Sequence, residues 1–517
     1  MIDPLPGNLL PNVLTLNAKW RARKTALVCG EQRVTWAEFN GRINRVANAL
    51  IERGLQKGDR VSVLMNNSIE MFEIIFGTIK SGGVIVPLSA MVPGENLVTM
   101  IADSASGFLF VDQKTKELVE PHLEALGHIP PGNRVITGPA VENWRSYEEL
   151  LGGAPDDEPA VAINQDDDFN IIYSSGTTGT PKGIVHTHYA RGQFAVGLAL
   201  EFRLTPESRT LVTTPLYTNG TWMIALPAIL AGATLVVMPH FDPELFLKLA
   251  QEERCTHTFM IPLQFAVTMF MPEFDDYDLS SMEVLVSAGA PLRKETKGDI
   301  LRKFGCNLVE LYGITEGIAS TLKPEDVKNK ISSVGTPLLA TDLRIIDEQG
   351  RELPWGESGE IVGYSAGMMR EYHNNPRATA EAVWRDEMGR TFIKTGDIGR
   401  YGPDGFLYIL ERKKDMIISG GVNIFSVDLE EVIAGHPAVQ EAAVIGVPHE
   451  KWGETPVALV IPKDEAGPPA EEIREWANAR LARYQRLSAV EFIKELPRNV
   501  LGKVLKRQLR EAYMKAE

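Results

Sequence analysis

Residues 173–183 combine groups that can hold phosphate. They read Tyr-Ser-Ser-Gly-Thr-Thr-Gly-Thr-Pro-Lys-Gly, with three glycines, five serine or threonine side chains and one lysine. The backbone N–H groups of such a loop, its hydroxyls and the ammonium group of Lys182 can point at phosphate oxygens. The loop is not a Walker A loop, because no Gly-Lys-Ser/Thr follows at the required spacing. Since the apolar residues 169–172 precede it, we predict that the loop begins near the end of a strand.

Further short motifs follow this loop along the chain. They are Ser-Ala-Gly-Ala-Pro-Leu at 287–292, Tyr-Gly-Ile-Thr-Glu at 312–316, Thr-Gly-Asp at 395–397, Arg-Lys-Lys-Asp at 412–415, Gly-Gly-Val-Asn-Ile at 420–424 and Pro-Arg-Asn-Val-Leu-Gly-Lys at 497–503. Each is weak evidence alone, but the ordered set is very hard to obtain by chance. With the loop, the set resembles the adenylate-forming superfamily of acyl-CoA synthetases, luciferases and nonribosomal-peptide adenylation domains, over nearly the whole chain.

The resemblance implies a two-step reaction. A carboxylate is a poor electrophile, because its charge repels nucleophiles and oxide is a poor leaving group. Attack of the carboxylate on the α-phosphorus of ATP gives an acyl-adenylate, from which AMP leaves readily when a thiol attacks. Fixed cations and N–H donors stabilise the charge that spreads over the phosphate oxygens. The implied activity is an ATP-dependent, AMP-forming carboxylate–CoA ligase that uses ATP, Mg²⁺ and coenzyme A.

The resemblance also assigns residues to the nucleotide. The implied ATP- and AMP-binding positions are Ser174, Ser175, Gly176, Thr177, Thr178, Gly179, Lys182, Gly289, Ala290, Pro291, Tyr312, Gly313, Thr315, Asp397, Arg412 and Lys503. Thr177, Thr178 and Lys182 would hold the β- and γ-phosphates, and Thr315 would touch a phosphate. The implied metal ligands for Mg²⁺ are Glu316 and Thr178.

The remaining motifs are implied to bind the nucleoside and the reacting groups. Tyr312 and the turn at 289–291 would flank the adenine, while Asp397, helped by Arg412, would accept the ribose hydroxyls. Lys503 would bridge the acyl carboxylate and the α-phosphate, a role that suits a mobile point charge on a long stem. The implied catalytic residues are therefore Lys503, Lys182, Thr315 and Glu316.

Similar enzymes rotate a small C-terminal domain between the two half-reactions. Lys414 stands where this superfamily keeps its hinge residue. Gly420 and Gly421 would then line the coenzyme A tunnel, because a narrow channel needs backbone without side chains. Rotation would withdraw Lys503 after adenylation and assemble the second site, a gating role.

The predicted acid pocket is apolar. Its lining residues would be Tyr217, Thr218, Trp222, Met223, Met260, Gly289 and Ile314. No lysine or arginine stands in residues 217–223, so a second carboxylate would lack a partner there, and we favour a fatty or aromatic monocarboxylic acid. Thr218 occupies a position where many acyl-CoA synthetases have histidine, and its smaller side chain is expected to open the pocket or shift a loop.

Other functions are compatible with parts of this pattern. A stand-alone enzyme that loads an acyl group onto a carrier protein stays open, whereas Thr218 cannot supply the charge that amino-acid activators place nearby. A luciferase-like oxygenase is uncommon in this fold. A non-catalytic nucleotide sensor is disfavoured, because decay of catalysis normally shows at positions such as Lys182, Glu316 and Lys503. His186 and His188 follow the loop directly, and we interpret them as structural residues.

The elements that must position these residues are helices alternating with short apolar strands. Thr35 and Glu38 form a capping-box pattern that begins a helix, and a strand at 60–65, a helix at 70–81 and a strand at 84–87 follow. Farther on, we predict a buried helix, a turn at Ala231-Gly232 and a strand at 234–238. We expect Ser426 to cap a helix.

The predicted fold class is α/β. The N-terminal adenylation domain would span residues 1–412, with helix-flanked sheets and, from about residue 331, a small β-barrel-like region. A mobile α+β lid would span residues 413–517.

Composition limits the remaining possibilities. The chain has 517 residues and a net charge of −15, which argues against a nucleic-acid partner. Its three cysteines are too far apart for a CxxC pattern and fit a reducing compartment. The apolar stretch 223–238 is shorter than the about 20 residues of a membrane helix, and we see no signal peptide, so we expect a cytoplasmic protein. A homodimer is common among similar proteins.

Overall fold

The structure is a computed structural model that describes residues 9–174, 181–464, 467–498 and 502–516. The chain divides into two compact units. The first contains Met1–Ile331, Pro337–Asp342 and Tyr364–Ile393, and the second contains Ser332–Thr336, Leu343–Gly363 and Lys394–Glu517. The domain boundary expected at residue 412 stays a prediction.

The helices of the described residues are mostly short. In chain order they are α1 (Leu10–Trp20), α2 (Trp36–Glu52), α3 (Ile69–Lys80), α4 (Gly94–Asp103), α5 (Tyr147–Leu151), α6 (His188–Glu201), α7 (Asn219–Ala231), α8 (Pro243–Glu252), α9 (Pro262–Met269), α10 (Lys294–Phe304), α11 (Pro376–Glu381), α12 (Ser426–Ala434), α13 (Ala470–Asn478) and α14 (Lys506–Ala516). None of these described helices is long and apolar enough to cross a bilayer.

Strands alternate with these helices. The strands of the first unit before residue 331 are β1 (Thr25–Cys29), β2 (Gln32–Thr35), β3 (Arg60–Leu64), β4 (Val84–Pro87), β5 (Phe108–Val111), β6 (Arg134–Ile136), β7 (Arg145–Ser146), β8 (Asp168–Ser174), β9 (Lys182–Thr187), β10 (Arg209–Val212), β11 (Thr234–Val237), β12 (His257–Met260), β13 (Val284–Ser287), β14 (Asn307–Ile314) and β15 (Ile318–Leu322). The later strands are β16 (Thr336–Pro337), β17 (Thr341–Ile346), β18 (Gly359–Ser365), β19 (Glu371–Tyr372), β20 (Val383–Arg385), β21 (Thr391–Tyr401), β22 (Leu407–Arg412), β23 (Ile417–Ser419), β24 (Val422–Ile424), β25 (Val439–His449), β26 (Gly453–Pro462) and β27 (Ala489–Phe492).

One large sheet has the strand order β16-β15-β14-β13-β12-β10-β11-β1-β2. Its neighbours from β14 to β1 are parallel, and β15 and β2 return as antiparallel strands. Strands such as β11 and β13 are buried along their whole length, which is typical of a parallel sheet covered on both faces. The predicted helix-flanked parallel sheet is confirmed.

A second sheet has the order β19-β9-β8-β4-β3-β5-β6-β7. Its centre contains the predicted strand-helix-strand unit, in which β3 and β4 are parallel and α3 connects them. Helix α3 packs against β3 and β4 of this sheet, and its Phe76 meets Phe39 of α2 edge to face, with ring centroids 6.4 Å apart. Strands β8 and β9 of this second sheet flank the phosphate loop.

Two local predictions are confirmed in detail. The hydroxyl of Thr35 accepts a hydrogen bond from the backbone N–H of Glu38, whose carboxylate accepts from the N–H of Thr35, so the capping box begins α2. The apolar stretch after residue 219 forms α7, ends at Gly232 with φ of +72°, and continues as β11. Positive φ favours glycine at that position, because an L side chain strains there.

Two smaller sheets follow residue 331. The third has the order β17-β18-β21-β20 with β22 paired to β21, and it lies where the small β-barrel-like region was expected. The fourth has the order β24-β23-β26-β25 with β27 paired to β26, and its core contains apolar side chains of α12 and α13. This alternation of strands and helices matches the α+β composition predicted for the C-terminal region.

The expected cap at Ser426 is wrong. The N-cap position of α12 is Phe425, which makes no side-chain cap, and Ser426 is the first helical residue. Glu411 accepts hydrogen bonds from both the backbone N–H and the hydroxyl of Ser426. The serine hydroxyl is therefore committed to a buried carboxylate and not to the helix end.

Candidate functional site

The phosphate loop is closed by a β-hairpin. Strands β8 and β9 are antiparallel, and Ser174 lies opposite Lys182 at the base of the loop. The prediction that the loop begins at a strand end is confirmed. Of the predicted loop positions, Ser174 and Lys182 are described, whereas Ser175, Gly176, Thr177, Thr178 and Gly179 lie outside the described residues.

Lys182 and Glu316 meet at an aromatic ring. The Nζ atom of Lys182 lies 4.8 Å from the centre of the Tyr372 ring, and the hydroxyl of Tyr372 donates a hydrogen bond of 2.6 Å to Oε1 of Glu316. Burial and the charge of Glu316 raise the pKa of the Tyr372 hydroxyl, which keeps it protonated as a donor. The structure thus brings together a cation and a carboxylate that are far apart in sequence.

Sequence reasoning missed Tyr372. It belongs to β19, whose antiparallel pairing with β9 places Tyr372 opposite Ile184, two residues after Lys182. Glu316 reaches the ring from a different sheet. An aromatic residue between Glu371 and His373 carries no spacing signal that could have identified this position.

Residues 315–317 connect β14 to β15, and we call this segment the Thr315–Glu316 turn. Its backbone carbonyls are held individually: that of Thr315 by His186 Nε2 at 2.9 Å, that of Glu316 by the N–H of Met369 at 2.9 Å, and that of Gly317 by the hydroxyl of Ser365 at 2.7 Å. Gly317 has φ of +97°. The backbone of this turn is therefore held at three successive carbonyls.

The predicted adenine and acid positions lie at one edge of the large sheet. In register, Val212 of β10 is level with Phe259 of β12, and Met260 is level with Ser287 of β13. These strands are parallel, so the residues that follow their carboxyl ends share an edge, where ligands of open α/β sheets bind. The positions at this edge are Tyr217, Met260, Gly289, Ala290, Pro291, Tyr312, Gly313 and Ile314.

Helix α7 contributes the other predicted acid-pocket residues. Its N-cap is Thr218, which accepts a hydrogen bond from the backbone N–H of Thr221 and is buried. Trp222 packs edge to face on Phe169 in one hydrophobic cluster, whereas Met260 belongs to a second cluster. Met223 is buried as well. Trp222 and Met260 thus belong to different hydrophobic clusters, and a shared pocket stays a prediction.

His186 and His188 lie in the interior. His186 Nε2 bonds the Thr315 carbonyl, and burial together with the charge of Arg191 holds its pKa well below the usual value. Burial lowers the pKa of His188 to about 4, and its ring packs on Phe169 with centroids 5.1 Å apart. Both side chains are buried, which agrees with a structural interpretation.

In the second unit, the two predicted ribose-binding residues are paired. Asp397 of β21 lies opposite Arg412 of β22, and Arg412 Nε lies 2.7 Å from Oδ1 of Asp397. The backbone N–H of Asp397 is bound to the hydroxyl of Thr395 at 3.1 Å. The Asp397 carboxylate is therefore buried and held in place, and its role toward the ribose stays a prediction.

Lys503 lies in the electrostatic field of the same pair. Burial lowers its pKa to about 8, the charges of Arg412 and Lys414 act in the same direction, and Asp397 and Asp415 oppose them. The predicted ribose-binding carboxylate and hinge residue thus both influence the predicted adenylation lysine electrostatically within the second unit. A lysine with a lowered pKa in such surroundings is typical of a functional site.

Gly420 and Gly421 form the tight turn between β23 and β24. Their φ values are +59° and +82°, the combination that a two-residue type I′ hairpin turn requires. A Cβ atom on Gly420 would lie 3.0 Å from the ring of Trp452, whereas Gly421 faces open space. The hairpin geometry alone accounts for two glycines here, and their role toward coenzyme A stays a prediction.

Among the described residues, no group of three or more His, Cys, Asp or Glu side chains could hold a metal ion. The described cysteines, Cys29, Cys255 and Cys306, are all free thiols.

Comparison with known proteins adds an independent line of evidence. The family profile described as AMP-binding enzyme matches residues 14–373, and the profile described as AMP-binding enzyme C-terminal domain matches residues 428–503. The chain is 35% identical to the long-chain-fatty-acid–CoA ligase FadD13 of Mycobacterium tuberculosis over 93% of each chain. It is 34% identical to a feruloyl-CoA synthase of an Amycolatopsis species, over 96% of this chain and 97% of that one.

The fold comparison agrees. The crystal structure of ATP-bound MatB from Rhodopseudomonas palustris superposes with a TM-score of 0.90, with 28% sequence identity and 99% of each chain covered. The similarity therefore extends over both compact units and is not confined to one motif.

Proposed function

The chain belongs to the AMP-binding enzyme family, and from that premise we propose that Lys182, Glu316 and Lys503 carry out the adenylation step of its reaction. The protein is an AMP-forming acid–CoA ligase that acts on a fatty or aromatic acid through an acyl-adenylate. ATP and coenzyme A are its co-substrates. The observation that carries the assignment of the phosphate site is the convergence of Lys182 and Glu316 on Tyr372.

The proposed first step forms one bond and breaks another. A carboxylate oxygen of the acid attacks the α-phosphorus of ATP, and the bond to the bridging oxygen of the β-phosphate breaks, so pyrophosphate leaves with the electron pair. The ammonium groups of Lys182 and Lys503 would neutralise charge on the phosphate oxygens. No proton is transferred in this step, which suits fixed cations better than an acid–base pair.

In the second step, the thiolate of coenzyme A attacks the acyl carbon, and AMP leaves. The thiol proton goes to solvent. We propose that Lys414 acts as the hinge between the two steps, that Gly420 and Gly421 face the pantetheine chain, and that residues 413–517 are the mobile lid. Glycines in a turn at the surface support this role, since they let a thin chain approach the backbone.

Mg²⁺ fits the residues around Glu316. Its carboxylate offers the hard oxygen donors that Mg²⁺ prefers, and Mg²⁺ commonly binds through one or two carboxylates plus phosphates and water. We propose that Glu316 and Thr178 hold the ion, and that Tyr372 orients the carboxylate by occupying Oε1. When bound, the ion would neutralise negative charge on the departing pyrophosphate.

The acid is proposed to be monocarboxylic. The side chains of Trp222, Met223 and Met260 are apolar and buried, which supports an aliphatic or aromatic body. We also propose a cytoplasmic location, which three free thiols support, and a homodimer, which rests on the sequence resemblance alone.

Pyrophosphate release from purified protein tests this function. The assay contains ATP, Mg²⁺ and one acid from a panel of the monocarboxylates dodecanoate, ferulate and indoleacetate, with and without coenzyme A. Sustained turnover that needs both acid and coenzyme A is expected. Release that stops near one equivalent per enzyme despite coenzyme A would instead show that coenzyme A is not the acceptor and would favour a carrier protein in that role.

A matched pair of variants controls the assay. Glu316→Gln removes the proposed metal ligand and should reduce release strongly. Glu371→Gln removes the charge of a carboxylate beside Tyr372 that is paired with Arg370 and has no proposed role. Equal activity of the two variants would contradict the role of Glu316.

A further inference from the structure

Arg191 of α6 is a buried cation with neutral hydrogen-bond partners. Its side chain is 1% exposed, and its Nε atom donates to Oδ1 of Asn170 at 2.7 Å. Its Nη1 atom donates to Oδ1 of Asn219 at 2.8 Å, and its Nη2 atom lies 3.2 Å from Nδ1 of His186. Such a guanidinium cannot exchange these partners for water, so losing any of them is costly.

The partners of His186 agree on one tautomer. Arginine only donates, so Nδ1 of His186 must accept the hydrogen bond from Arg191. A backbone carbonyl only accepts, so Nε2 of His186 must carry the proton that it donates to Thr315, at 2.9 Å. One neutral tautomer of the imidazole meets both requirements. The ring can therefore hold Arg191 and the Thr315 carbonyl at a fixed distance without a change of protonation.

The connected groups form a continuous chain, which we call the Arg191 relay: the amide of Asn219, the guanidinium of Arg191, the imidazole of His186 and the carbonyl of Thr315. Asn219 is the first residue of α7, the helix that carries Trp222. The guanidinium also lies 5.1 Å from the centre of the Trp222 ring. At the other end, Thr315 precedes Glu316.

We propose that Arg191 is a positioning residue that couples binding of the acid at α7 to binding of MgATP at the Thr315–Glu316 turn. The proposal rests on the proposed function, because it takes α7 as a wall of the acid pocket. A shift of α7 that moved Asn219 would displace Arg191, then His186 and the Thr315 carbonyl, since Arg191 and His186 are buried and the donor and acceptor roles along the chain are fixed. Coupling of this kind is reciprocal: each ligand tightens the other by the same factor.

The test measures this factor directly. The ligands are the Mg²⁺ complex of α,β-methylene-ATP, whose bridging carbon prevents pyrophosphate release, and dodecanoate or ferulate, whichever the wild-type enzyme turns over faster. The Kd of the nucleotide analogue is measured by calorimetry without acid and with saturating acid. In the wild type, the acid is expected to lower that Kd about tenfold, within the usual range of coupling between sites.

Arg191→Met retains an unbranched side chain for packing on Trp222 and removes all three hydrogen bonds. The ratio of the two Kd values should then fall to within about twofold of one. Asn219→Ala interrupts the relay at α7 only and should also bring the ratio of the two Kd values close to one. If Arg191→Met fails to fold, the ratio in Asn219→Ala tests the proposal. Gln193→Ala, on the same helix and outside the relay, should keep the wild-type ratio.

Two results would overturn the proposal. One is a wild-type ratio near one, and the other is an unchanged ratio in a folded Arg191→Met or Asn219→Ala variant. Failure of the proposed function is a different result, because it shows as absence of turnover by the wild type. A general loss of stability in the variants would weaken both Kd values together and leave their ratio unchanged.

Discussion

The hydroxyl of Tyr372 donates a 2.6 Å hydrogen bond to Oε1 of Glu316, and the same ring lies beneath the ammonium group of Lys182. One side chain thereby orients the proposed metal ligand with its polar end and the proposed phosphate-binding cation with its π face. Cation–π contact and hydrogen bonding can be removed separately, because phenylalanine retains the ring and loses the hydroxyl.

Tyr372→Phe is expected to reduce the adenylation activity that Mg²⁺ supports without abolishing it. A hydrogen bond to a charged group contributes about 1.5 to 3 kcal/mol, so kcat/KM for MgATP should fall roughly 10- to 150-fold. In Tyr372→Leu, kcat/KM for MgATP should fall further, because this substitution also removes the ring beneath Lys182. The measurement is pyrophosphate release as a function of Mg²⁺ and ATP concentrations. Equal kinetics for Tyr372→Phe and the wild type would contradict the orienting role.

Sequence reasoning predicted the structural features that depend on residues close together in the chain and the family that the order of the motifs indicates. The capping box at Thr35, the left-handed residue Gly232 and the strand before the phosphate loop depend on neighbours within a few residues. Tyr372 and Arg191 could not be predicted in this way. Their partners come from other strands and helices, and no spacing rule connects residues that only the folded sheets bring together.

The error at Ser426 has a similar cause. A serine before a helix favours an N-cap, but the carboxylate of Glu411 accepts from this residue's N–H and hydroxyl. The competing partner lies in β22, and a local propensity is overridden by a charge-assisted hydrogen bond in the interior. Motif order along the chain predicted the family, whereas side-chain partners needed the structure.

Lys503→Ala is expected to abolish adenylation and to spare thioester formation from a supplied acyl-adenylate. The ammonium group is needed only while charge develops on the α-phosphate. The two half-reactions are measured separately, by pyrophosphate release and by acyl-CoA formation from synthetic acyl-adenylate. Lys515→Ala, at the end of α14, is the control. Equal loss of both half-reactions would contradict the assigned role.

The pH dependence of adenylation should show an alkaline limb. Burial, reinforced by the charge of Arg412, lowers the pKa of Lys503 to about 8, so the charged form predominates below that pH and disappears above it. The value of kcat/KM for ATP, which reports the free enzyme, should therefore be level below about pH 8 and fall about tenfold per unit above it.

Lys503→Arg distinguishes this lysine from other titrating groups. Arginine stays charged throughout the accessible range, so whatever adenylation activity the variant retains should lack the limb near pH 8. A limb of the same midpoint in Lys503→Arg would assign the titration to another group. The half-reaction is followed by pyrophosphate release between pH 6 and about 10, within the range where the lysine titrates.

Asp397→Asn should weaken nucleotide binding through the ribose. The carboxylate is oriented by Arg412 at 2.7 Å, and an amide would accept ribose hydroxyls less strongly. We expect the Kd for ATP to rise about tenfold or more, as for loss of a charge-assisted hydrogen bond. Discrimination between ATP and its 2′- and 3′-deoxy analogues should shrink in the variant. Asp347→Asn, in an exposed turn, is the control, and an unchanged ATP affinity in Asp397→Asn would contradict ribose contact.

Gly317→Ala should destabilise the Thr315–Glu316 turn more than its backbone angle alone requires. Gly317 and Gly356 share a φ of +97°, but a Cβ atom on Gly317 would overlap the carbonyl oxygen of Gly367, whereas one on Gly356 would meet nothing within 4 Å. Gly356→Ala therefore isolates the cost of the left-handed backbone, about 1 to 2 kcal/mol. Gly317→Ala should add about 1 to 3 kcal/mol of steric strain and lower the Tm further.

The kcat/KM of Gly317→Ala for MgATP should also fall, because the turn carries Glu316, while Gly356→Ala keeps wild-type kinetics. Equal Tm values for the two variants would show that the loop at Gly367 moves aside, and the close approach would then not constrain the turn.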